Sequence, residues 1–386
     1  MRAFMPWLLA GLMSVTGAAA AADAAPGTEL WSYATAGQVW SAPAVAEGTL
    51  YVGSDDHRLH AVDLATHAAR WTYYTGGAVR SRPLVAGDLV LVESDDGYLH
   101  AVDRRTGQRQ WRADLKSRDL VRRGPTLDNP YYDWRASSPV ATADGLVVVG
   151  SAAARISAFK LATGEPAWSS GVEDMVRGDP LVVGTRIVFG SWDHHVYAVD
   201  ARTGKLAWRF DTGNIVQSAP ALGQGTVVIG SRSAKVFGLD AATGALRWTH
   251  PHADGSWVES SAVFADGRFV VGSSDALKLQ ALDPATGREL WAYRTGGWSW
   301  STPAVANGVA YVGSLSGSPY YMPGVTLQGA LHAVDAATGR LLWRFTPGPS
   351  IVPGYITGGV AAAPAVVDGV VYVGAMDGKV HALKAG

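Results

Sequence analysis

The sequence of 386 residues contains no cysteine. Without thiols the protein has no disulfide bonds, no thiolate metal ligands, no cysteine nucleophile and no cysteine for lipid attachment. Neither sign of charge is in excess, since 32 Lys and Arg stand against 33 Asp and Glu. A chain with no basic surplus has no electrostatic reason to bind nucleic acid or an anionic membrane surface, and we expect neither partner.

Charged residues are also scarce, whereas glycine is abundant. The charged residues make up 17% of the chain, below the usual value of about 25%, and 46 residues are glycine. Long coiled coils and disordered segments are rich in charge, so this composition disfavours both. It favours many short strands that are joined by tight turns.

Residues 1–22 have the three-part order of a secretory signal peptide. Arg2 is followed by an apolar run from Phe4 to Val15 and by a tail of small residues that ends at Ala22. The apolar run is too short to cross a bilayer comfortably, and no other stretch approaches the roughly 18 apolar residues of a membrane span. We predict secretion across the inner membrane to the periplasm or cell envelope. The mature chain, 23–386, is expected to lack an integral membrane segment; a retained N-terminal anchor is the alternative.

One motif recurs along the mature chain, and we call it the Trp tag: Asp-x-x-Thr-Gly-x-x-x-Trp. Clear copies are found in the segments AVDRRTGQRQW at 101–111, AVDARTGKLAW at 198–208 and AVDAATGRLLW at 333–343. The first tryptophan of the series, Trp31, has no tag before it. Successive tag tryptophans are 40, 40, 57, 40, 40, 43 and 52 residues apart. A period near 40 with several short strands per repeat is typical of a β-propeller.

Each repeat contains four predicted strands: a Ser-x-Pro run, a Val-Gly-Ser run, a His-Ala-Val-Asp run and the Trp strand. The sequence therefore predicts an all-β fold, in which residues 23–386 form one eight-bladed β-propeller with four-stranded antiparallel blades. The chain starts on an outer strand and stops after a third strand. We expect the N-terminal strand, with Trp31, to pair with the C-terminal blade and close the ring, which removes a free sheet edge.

The Trp tag and the two runs before it resemble the repeat of the pyrroloquinoline-quinone-type (PQQ-like) propellers over residues 28–385. The resemblance implies one of two functions. Quinoprotein alcohol dehydrogenases hold PQQ with Ca²⁺, whereas other eight-bladed members, such as the periplasmic scaffold of the outer-membrane β-barrel assembly machinery, are not catalytic. The dehydrogenases clamp the quinone with adjacent cysteines and surround Ca²⁺ with Glu, Asn and Asp. This chain has no cysteine, and no local motif assigns a catalytic residue or a metal ligand.

The long inserts in the repeats are expected on one face. Residues 115–135, 315–328 and 346–361 all lengthen loops that open where the chain enters each blade or passes from its second to its third strand. The aromatic residues outside the tags map to the same face: Trp40, Trp134, Trp192, Trp257, Trp298, Trp300, Tyr131, Tyr132, Tyr320 and Tyr321. Such residues suit a binding surface. Alternatively, they cap the blades and pack the inserts onto each other.

One position per repeat, three residues before the strand proline or its equivalent, is expected to face the central mouth. Around the ring it reads Trp40, Arg80, Ala136, Arg177, Gln217, Glu259, Trp300 and Ala361. The candidate ligand-binding residues among them are Trp40, Arg80, Arg177, Gln217, Glu259 and Trp300. Paired arginines suit a carboxylate or phosphate. The alternative is that Arg80, Arg177 and Glu259 pair with Asp179 and with each other.

The favoured hypothesis is a secreted, non-catalytic binding or scaffold protein. It is expected to be a monomer that engages a protein or a small-molecule ligand on the insert-bearing face. The absent cysteines and the lack of a catalytic motif support it, and it requires no cofactor.

The alternative hypothesis is a small PQQ-dependent oxidoreductase of the alcohol or sugar dehydrogenase type. The quinone would stack on Trp300 or Trp40 in the mouth, and Arg80 and Arg177 would hold its carboxylates. The acidic candidates for a Ca²⁺ ligand or a general base would be Glu259 and Asp179. The sequence leaves open whether the chain is an enzyme.

Overall fold

The computed structural model describes residues 24–117, 137–252, 254–320 and 322–386. Eight antiparallel sheets follow one another along this part of the chain, and the predicted eight-bladed β-propeller is confirmed. None of the described residues lies in a helix that is long and apolar enough to cross a membrane. The predicted signal peptide, 1–22, lies outside the described residues.

The blades share one strand order. The innermost strands are β2 Ala44–Ala46, β6 Leu84–Ala86, β10 Val140–Ala141, β14 Leu181–Val183, β18 Ala221–Gly223, β22 Val263–Ala265, β26 Ala304–Ala306 and β31 Ala365–Val367. The second strands are β3 Thr49–Gly53, β7 Leu89–Ser94, β11 Leu146–Ser151, β15 Arg186–Gly190, β19 Thr226–Ser231, β23 Arg268–Gly272, β27 Val309–Gly317 and β32 Val370–Gly374.

The third strands are β4 Arg58–Asp63, β8 Tyr98–Asp103, β12 Arg155–Lys160, β16 His195–Asp200, β20 Lys235–Asp240, β24 Lys278–Leu282, β28 Ala330–Asp335 and β33 Lys379–Lys384. The outer strands are β5 Ala69–Tyr74, β9 Arg109–Asp114, β13 Pro166–Gly171, β17 Leu206–Asp211, β21 Leu246–Pro251, β25 Glu289–Arg294, β29 Leu341–Phe345 and β1 Glu29–Ala34. One further strand, β30 Ile356–Gly359, pairs with the end of β27. We number the blades 1 to 8 by their innermost strands, from β2 to β31.

Burial follows the position of a strand in its blade. The second and third strands are almost wholly buried because a neighbouring blade covers each of their faces, whereas the outer strands alternate between buried and exposed residues. Each hydrophobic core lies between two blades: Tyr51 and Leu59 of blade 1, for example, pack with Val90 and Val92 of blade 2. Apolar β-branched residues at these positions therefore hold the ring together through interblade contacts.

The Trp tag locks each blade to the next. Trp71 of blade 1 donates its indole N–H to the Arg104 carbonyl of blade 2 at 3.0 Å, and its ring lies against Gly107, where a Cβ would come within 2.7 Å. Gly107 also has a φ of +73°, so both its conformation and its contact favour glycine. Five further tag tryptophans make the same interblade bond: Trp111, Trp168, Trp208, Trp248 and Trp291.

The aspartate of the tag organises the turn before the outer strand. Asp63 accepts hydrogen bonds from the backbone N–H groups of Ala65 and Thr66, and its other oxygen accepts one from Arg70. The Thr66 N–H and the Arg70 guanidinium are the main groups that lower the pKa of Asp63, to about 2. The tag residues thus have a local structural role.

The predicted ring closure is confirmed, since β1 pairs with β33 and completes blade 8. The eighth tag, which is missing before Trp31 in the sequence, is assembled from both ends of the chain. Gly27 N–H donates to the Lys384 carbonyl at 2.9 Å, as Gly107 N–H does to Asp103 within an intact tag. Gly27 thereby occupies the tag-glycine position against Trp343. A motif search misses this tag because its halves lie at opposite ends of the sequence.

Candidate functional site

Two rings of residues surround one end of the central channel. The first, which we call the mouth ring, consists of the eight predicted mouth positions, of which Ala136 lies outside the described residues. The second, the loop ring, consists of residues that come directly or one residue after the second strand in seven blades, and of Leu315, which lies within the extended β27 of blade 7. Its members are Asp55, Asp95, Ala152, Trp192, Arg232, Ser274, Leu315 and Met376.

A repeated backbone hydrogen bond holds the two rings together. In each case a loop-ring residue donates its backbone N–H to a backbone carbonyl in the same blade, and that carbonyl belongs to the residue two positions before the mouth-ring residue. Asp55 N–H donates to the Gln38 carbonyl at 3.0 Å, and Trp192 N–H donates to the Met175 carbonyl at 2.9 Å. The entering segments and the second-to-third strand loops therefore share one face, which we call the insert-bearing face. On the opposite face, the tag turns bond to the inner hairpins, as Leu64 N–H does to Gly48.

Arg80 of the mouth ring is neutralised by aspartates of the loop ring. Its Nε and Nη2 donate to the two carboxylate oxygens of Asp55 at 2.8 and 2.9 Å, and its Nη1 lies 4.0 Å from Asp95. The guanidinium also lies 5.8 Å from the centroid of a Trp40 ring. A two-point bond of this kind fixes the guanidinium plane and satisfies its charge within the protein.

Glu259 and Gln217 of the mouth ring meet on Arg232 of the loop ring. Arg232 Nη2 lies 2.6 Å from a Glu259 carboxylate oxygen and donates to Gln217 Oε1 at 3.2 Å. Ring centroids of Trp257 and Trp192 lie 4.5 and 5.5 Å from the guanidinium carbon of Arg232. Glu259 is only 1% exposed, so this charge pair is part of the interior of the rim.

Two of the mouth charges are therefore paired with residues of the loop ring: Arg80 binds Asp55 and Glu259 binds Arg232. Asp179 accepts the backbone N–H of Ser138 at 2.7 Å. Arg177 is buried, and its Nη2 lies 3.4 Å from the Met175 sulfur. The loop ring was missed from the sequence, although its members follow the Gly-Ser end of the second strand in most repeats.

The two described inserts pack onto each other around stacked indoles. The rings of Trp298 and Trp300 are 5.0 Å apart and 8° from parallel, and Tyr320 and Tyr355 lie against Trp298 at 5.5 and 5.3 Å. Asp275 accepts hydrogen bonds from the Trp298 indole and the Tyr320 hydroxyl at 3.0 and 3.1 Å. These aromatic residues therefore cap the blades and pack the two inserts onto each other. Trp134, Tyr131, Tyr132 and Tyr321 lie outside the described residues.

The loop tips beyond this cluster expose apolar side chains. Ile351 and Val352 are 48% and 47% exposed in the insert 346–361, and Val325 is 37% exposed in the insert 315–328. β30 pairs with the extended end of β27 and holds the two inserts together. The insert-bearing face thus carries apolar residues on an ordered support, which is an arrangement suited to contact with another protein.

A cavity of about 850 Å³ fills the channel behind the mouth. Trp40, Trp300, Arg80 and Arg177 line it at the mouth-ring level, and prolines and aliphatic side chains of the innermost strands line it farther in. Gln217 and Glu259 are not among the lining residues. The structure thus places four of the six candidate residues at one cavity and the other two in the Arg232 cluster beside it.

The residues present do not fit PQQ with Ca²⁺. Asp55 of the loop ring and Glu259 of the mouth ring already bind arginines, and the described residues contain no group of three or more His, Cys, Asp or Glu that could hold a metal ion. Trp40 and Trp300 are each only 6% exposed, so little of either ring is open for a quinone to stack on. Arg80, the expected carboxylate ligand, is engaged by Asp55.

A family model described as outer membrane protein assembly factor BamB matches residues 15–133, 95–257 and 252–386. No curated protein matches the chain in sequence. Among solved structures, BamB from Moraxella catarrhalis is 17% identical and has a TM-score of 0.68, and the alignment covers 93% of this chain and 99% of that one. Quinohemoprotein alcohol dehydrogenase from Comamonas testosteroni is 18% identical with a TM-score of 0.68, over 97% of this chain and 78% of that one.

A computationally designed protein, Ika8, is also similar. It is 18% identical with a TM-score of 0.69, and the alignment covers 91% of this chain and 97% of the designed one. Natural proteins with different roles and a designed protein thus share this architecture. The structural likeness supports the fold, whereas function depends on the residues of the site.

Proposed function

The chain belongs to the family described as outer membrane protein assembly factor BamB, and we propose that it is a non-catalytic binding protein of the cell envelope. In this proposal a protein partner docks on the insert-bearing face. The observation that carries it is the internal pairing of the mouth: Arg80 with Asp55, and Glu259 with Arg232. Charged groups that satisfy each other build a rigid rim, and they are poorly placed to bind a tricarboxylic cofactor.

The exposed loop tips supply the contact residues of the proposed partner surface. Ile351, Val352 and Val325 present apolar side chains next to a tightly packed aromatic cluster. A rigid support lowers the conformational entropy lost on binding, and apolar anchors supply the energy. The near-neutral charge of the chain predicts association that depends on shape more than on electrostatic steering.

Site-specific photo-crosslinking in the producing cells tests this proposal. A photoreactive residue at Val352 or Val325 should give a discrete adduct with a partner protein. The matched control is Leu206, an apolar residue that is 59% exposed at the start of an outer strand. Replacing both Ile351 and Val352 with Asp should abolish the Val325 adduct without lowering the melting temperature. Equal adducts at Leu206, or none at either loop tip, would refute the proposal.

The quinoprotein alternative has a direct test of its own. The purified protein is titrated with PQQ in the presence of Ca²⁺ while tryptophan fluorescence and alcohol-dependent dye reduction are followed. We expect neither saturable quenching nor turnover, because Asp55 and Glu259 bind arginines and both candidate indoles are buried. Micromolar quenching with turnover would replace the binding-protein proposal with an oxidoreductase.

A further inference from the structure

The channel cavity has an unequal balance of charge. Of the described residues that line it, Arg80, Arg82 and Arg177 are cationic, and Asp179 is the one carboxylate. Asp55 neutralises Arg80 from outside the cavity. The remaining lining is largely proline, valine, leucine and alanine. The cavity thus combines an apolar wall with an excess of guanidinium groups.

Arg82 is a cation of the cavity lining whose charge no described residue of the rim neutralises. It lies two residues after Arg80, and within the described part of the chain no carboxylate makes an ion pair with its guanidinium. Its side chain is exposed although it lines the cavity, and its backbone N–H is held by the Ser138 hydroxyl at 2.9 Å. The backbone of Arg82 is therefore anchored while its charged end remains solvated in the channel.

Six of the other seven repeats carry alanine, serine or threonine at the position of Arg82, and the seventh carries an aspartate; all are shorter than arginine. The equivalent residues are Ala42, Ser138, Asp179, Ala219, Ser261, Thr302 and Ala363. Asp179 is the one acid among them, and one of its carboxylate oxygens accepts the Ser138 N–H. Next along the chain, seven of the eight repeats place a proline in the cavity wall, and aliphatic residues of the innermost strands follow. A ligand at Arg82 would meet a charged donor at one end and an apolar wall along its length.

We propose that the channel is a binding site for an organic monocarboxylate with an apolar body, and that Arg82 binds the carboxylate. A guanidinium donates two parallel hydrogen bonds to a carboxylate, and the bond is strengthened where the surroundings are apolar. The volume of about 850 Å³ lies within the range of small-molecule sites. This site is independent of the partner surface proposed above, because it uses the channel wall and not the loop tips.

The test uses octanoate as the probe, with 1-octanol and acetate as matched controls. Octanol keeps the apolar body without the charge, and acetate keeps the charge without the body. Binding is measured on the full mature protein by calorimetry and by the change in total tryptophan fluorescence. Trp40 and Trp300 contribute to this signal and line the cavity. We expect saturable binding of octanoate, with octanol and acetate each at least roughly 10-fold weaker.

Substitutions assign the site to Arg82. Arg82→Gln should weaken octanoate binding by roughly 10- to 100-fold because it removes a charge-assisted bond, and Arg82→Lys should restore part of it. Arg105→Gln, at an exposed tag turn, is the matched control and should leave binding unchanged. Failure of octanoate to bind, equal binding of octanol, or unchanged binding to a folded Arg82→Gln variant would each overturn the proposal. None of these three results would affect the partner surface, which the crosslinking experiment at the loop tips tests separately.

Discussion

Gly27 lies directly against the indole of Trp343, at the seam where the two ends of the chain meet. A Cβ at Gly27 would come within 2.9 Å of two Trp343 ring carbons, and the φ of Gly27 is +82°. The contact repeats the tag glycine and tryptophan arrangement found between consecutive blades. Closure of the ring thus relies on the same packing as the other blade junctions.

Gly27→Ala should therefore destabilise the protein more than glycine loss at an open turn. Gly48 is the matched control, because its φ is +71° and a Cβ added there would have no heavy atom of another residue within 4 Å, its chain neighbours aside. We expect a loss of about 1 kcal/mol for Gly48→Ala from backbone strain and about 2–4 kcal/mol for Gly27→Ala, where steric overlap is added. The urea midpoints of both variants measure this difference, and equal losses would show that the seam relaxes freely.

The Arg232–Glu259 pair should be structurally coupled. Glu259→Leu alone removes the buried partner of Arg232, whose largely buried guanidinium lies near two indoles, and we expect a loss of about 3–5 kcal/mol. Arg232→Met in the same chain should recover much of that loss, since no buried charge then lacks its partner. A double-mutant cycle in urea measures the coupling. Additive losses would mean that the two side chains do not act as a pair.

Buried histidines should make the free energy of unfolding depend on pH. His332 accepts or donates hydrogen bonds at both ring nitrogens, with Tyr293 and Ser314 at 3.0 and 2.9 Å. Burial, with a smaller effect of Arg344, lowers its pKa from 6.5 to about 4, and burial also lowers the pKa of His252 to about 4. Between about pH 6.5 and 4, His332 and His252 are therefore protonated in the unfolded chain and neutral in the folded chain.

For these two groups, stability should be constant above about pH 7 and should fall below pH 6.5 by up to about 1.4 kcal/mol per pH unit per histidine. His332→Phe removes one titrating group and should make the fall shallower, even if the variant is less stable at neutral pH because two hydrogen bonds are lost. Urea denaturation at several pH values from 7 to 4 gives the slope. An unchanged slope in the variant would contradict the assignment to His332.

The indole of Trp298 should hold the two inserts together. Trp298→Leu removes the stacking on Trp300, the contacts with both tyrosines and the bond to Asp275, so we expect a loss of about 3–5 kcal/mol in the insert region. The control is Tyr74→Leu, because Tyr74 is 60% exposed on an outer strand. Limited proteolysis should show earlier cleavage within 315–328 or 346–361 only in the first variant. Identical cleavage patterns would show that the inserts are held by their backbone pairing alone.

The candidate site was predictable only in part. The mouth positions follow from the repeat, because equivalent residues in equivalent blades must lie on one ring. Their partners do not follow, because Arg80 reaches a loop of the preceding blade and Glu259 reaches Arg232 in the same way. Arg82 had a visible signal, since six of the other seven repeats have alanine, serine or threonine at its place in the Ser-x-Pro run, but its exposure in the channel depends on what the other blades place around it.

The sequence by itself determined the number of blades, the strand order and the closure of the ring, because each repeat encodes the same local hydrogen bonds and the same interblade tryptophan contact. Only the tertiary structure decided which charges are neutralised, how the inserts pack and where the eighth tag comes from. Those properties join residues of different blades or of opposite chain ends, and no local pattern records the distance between them.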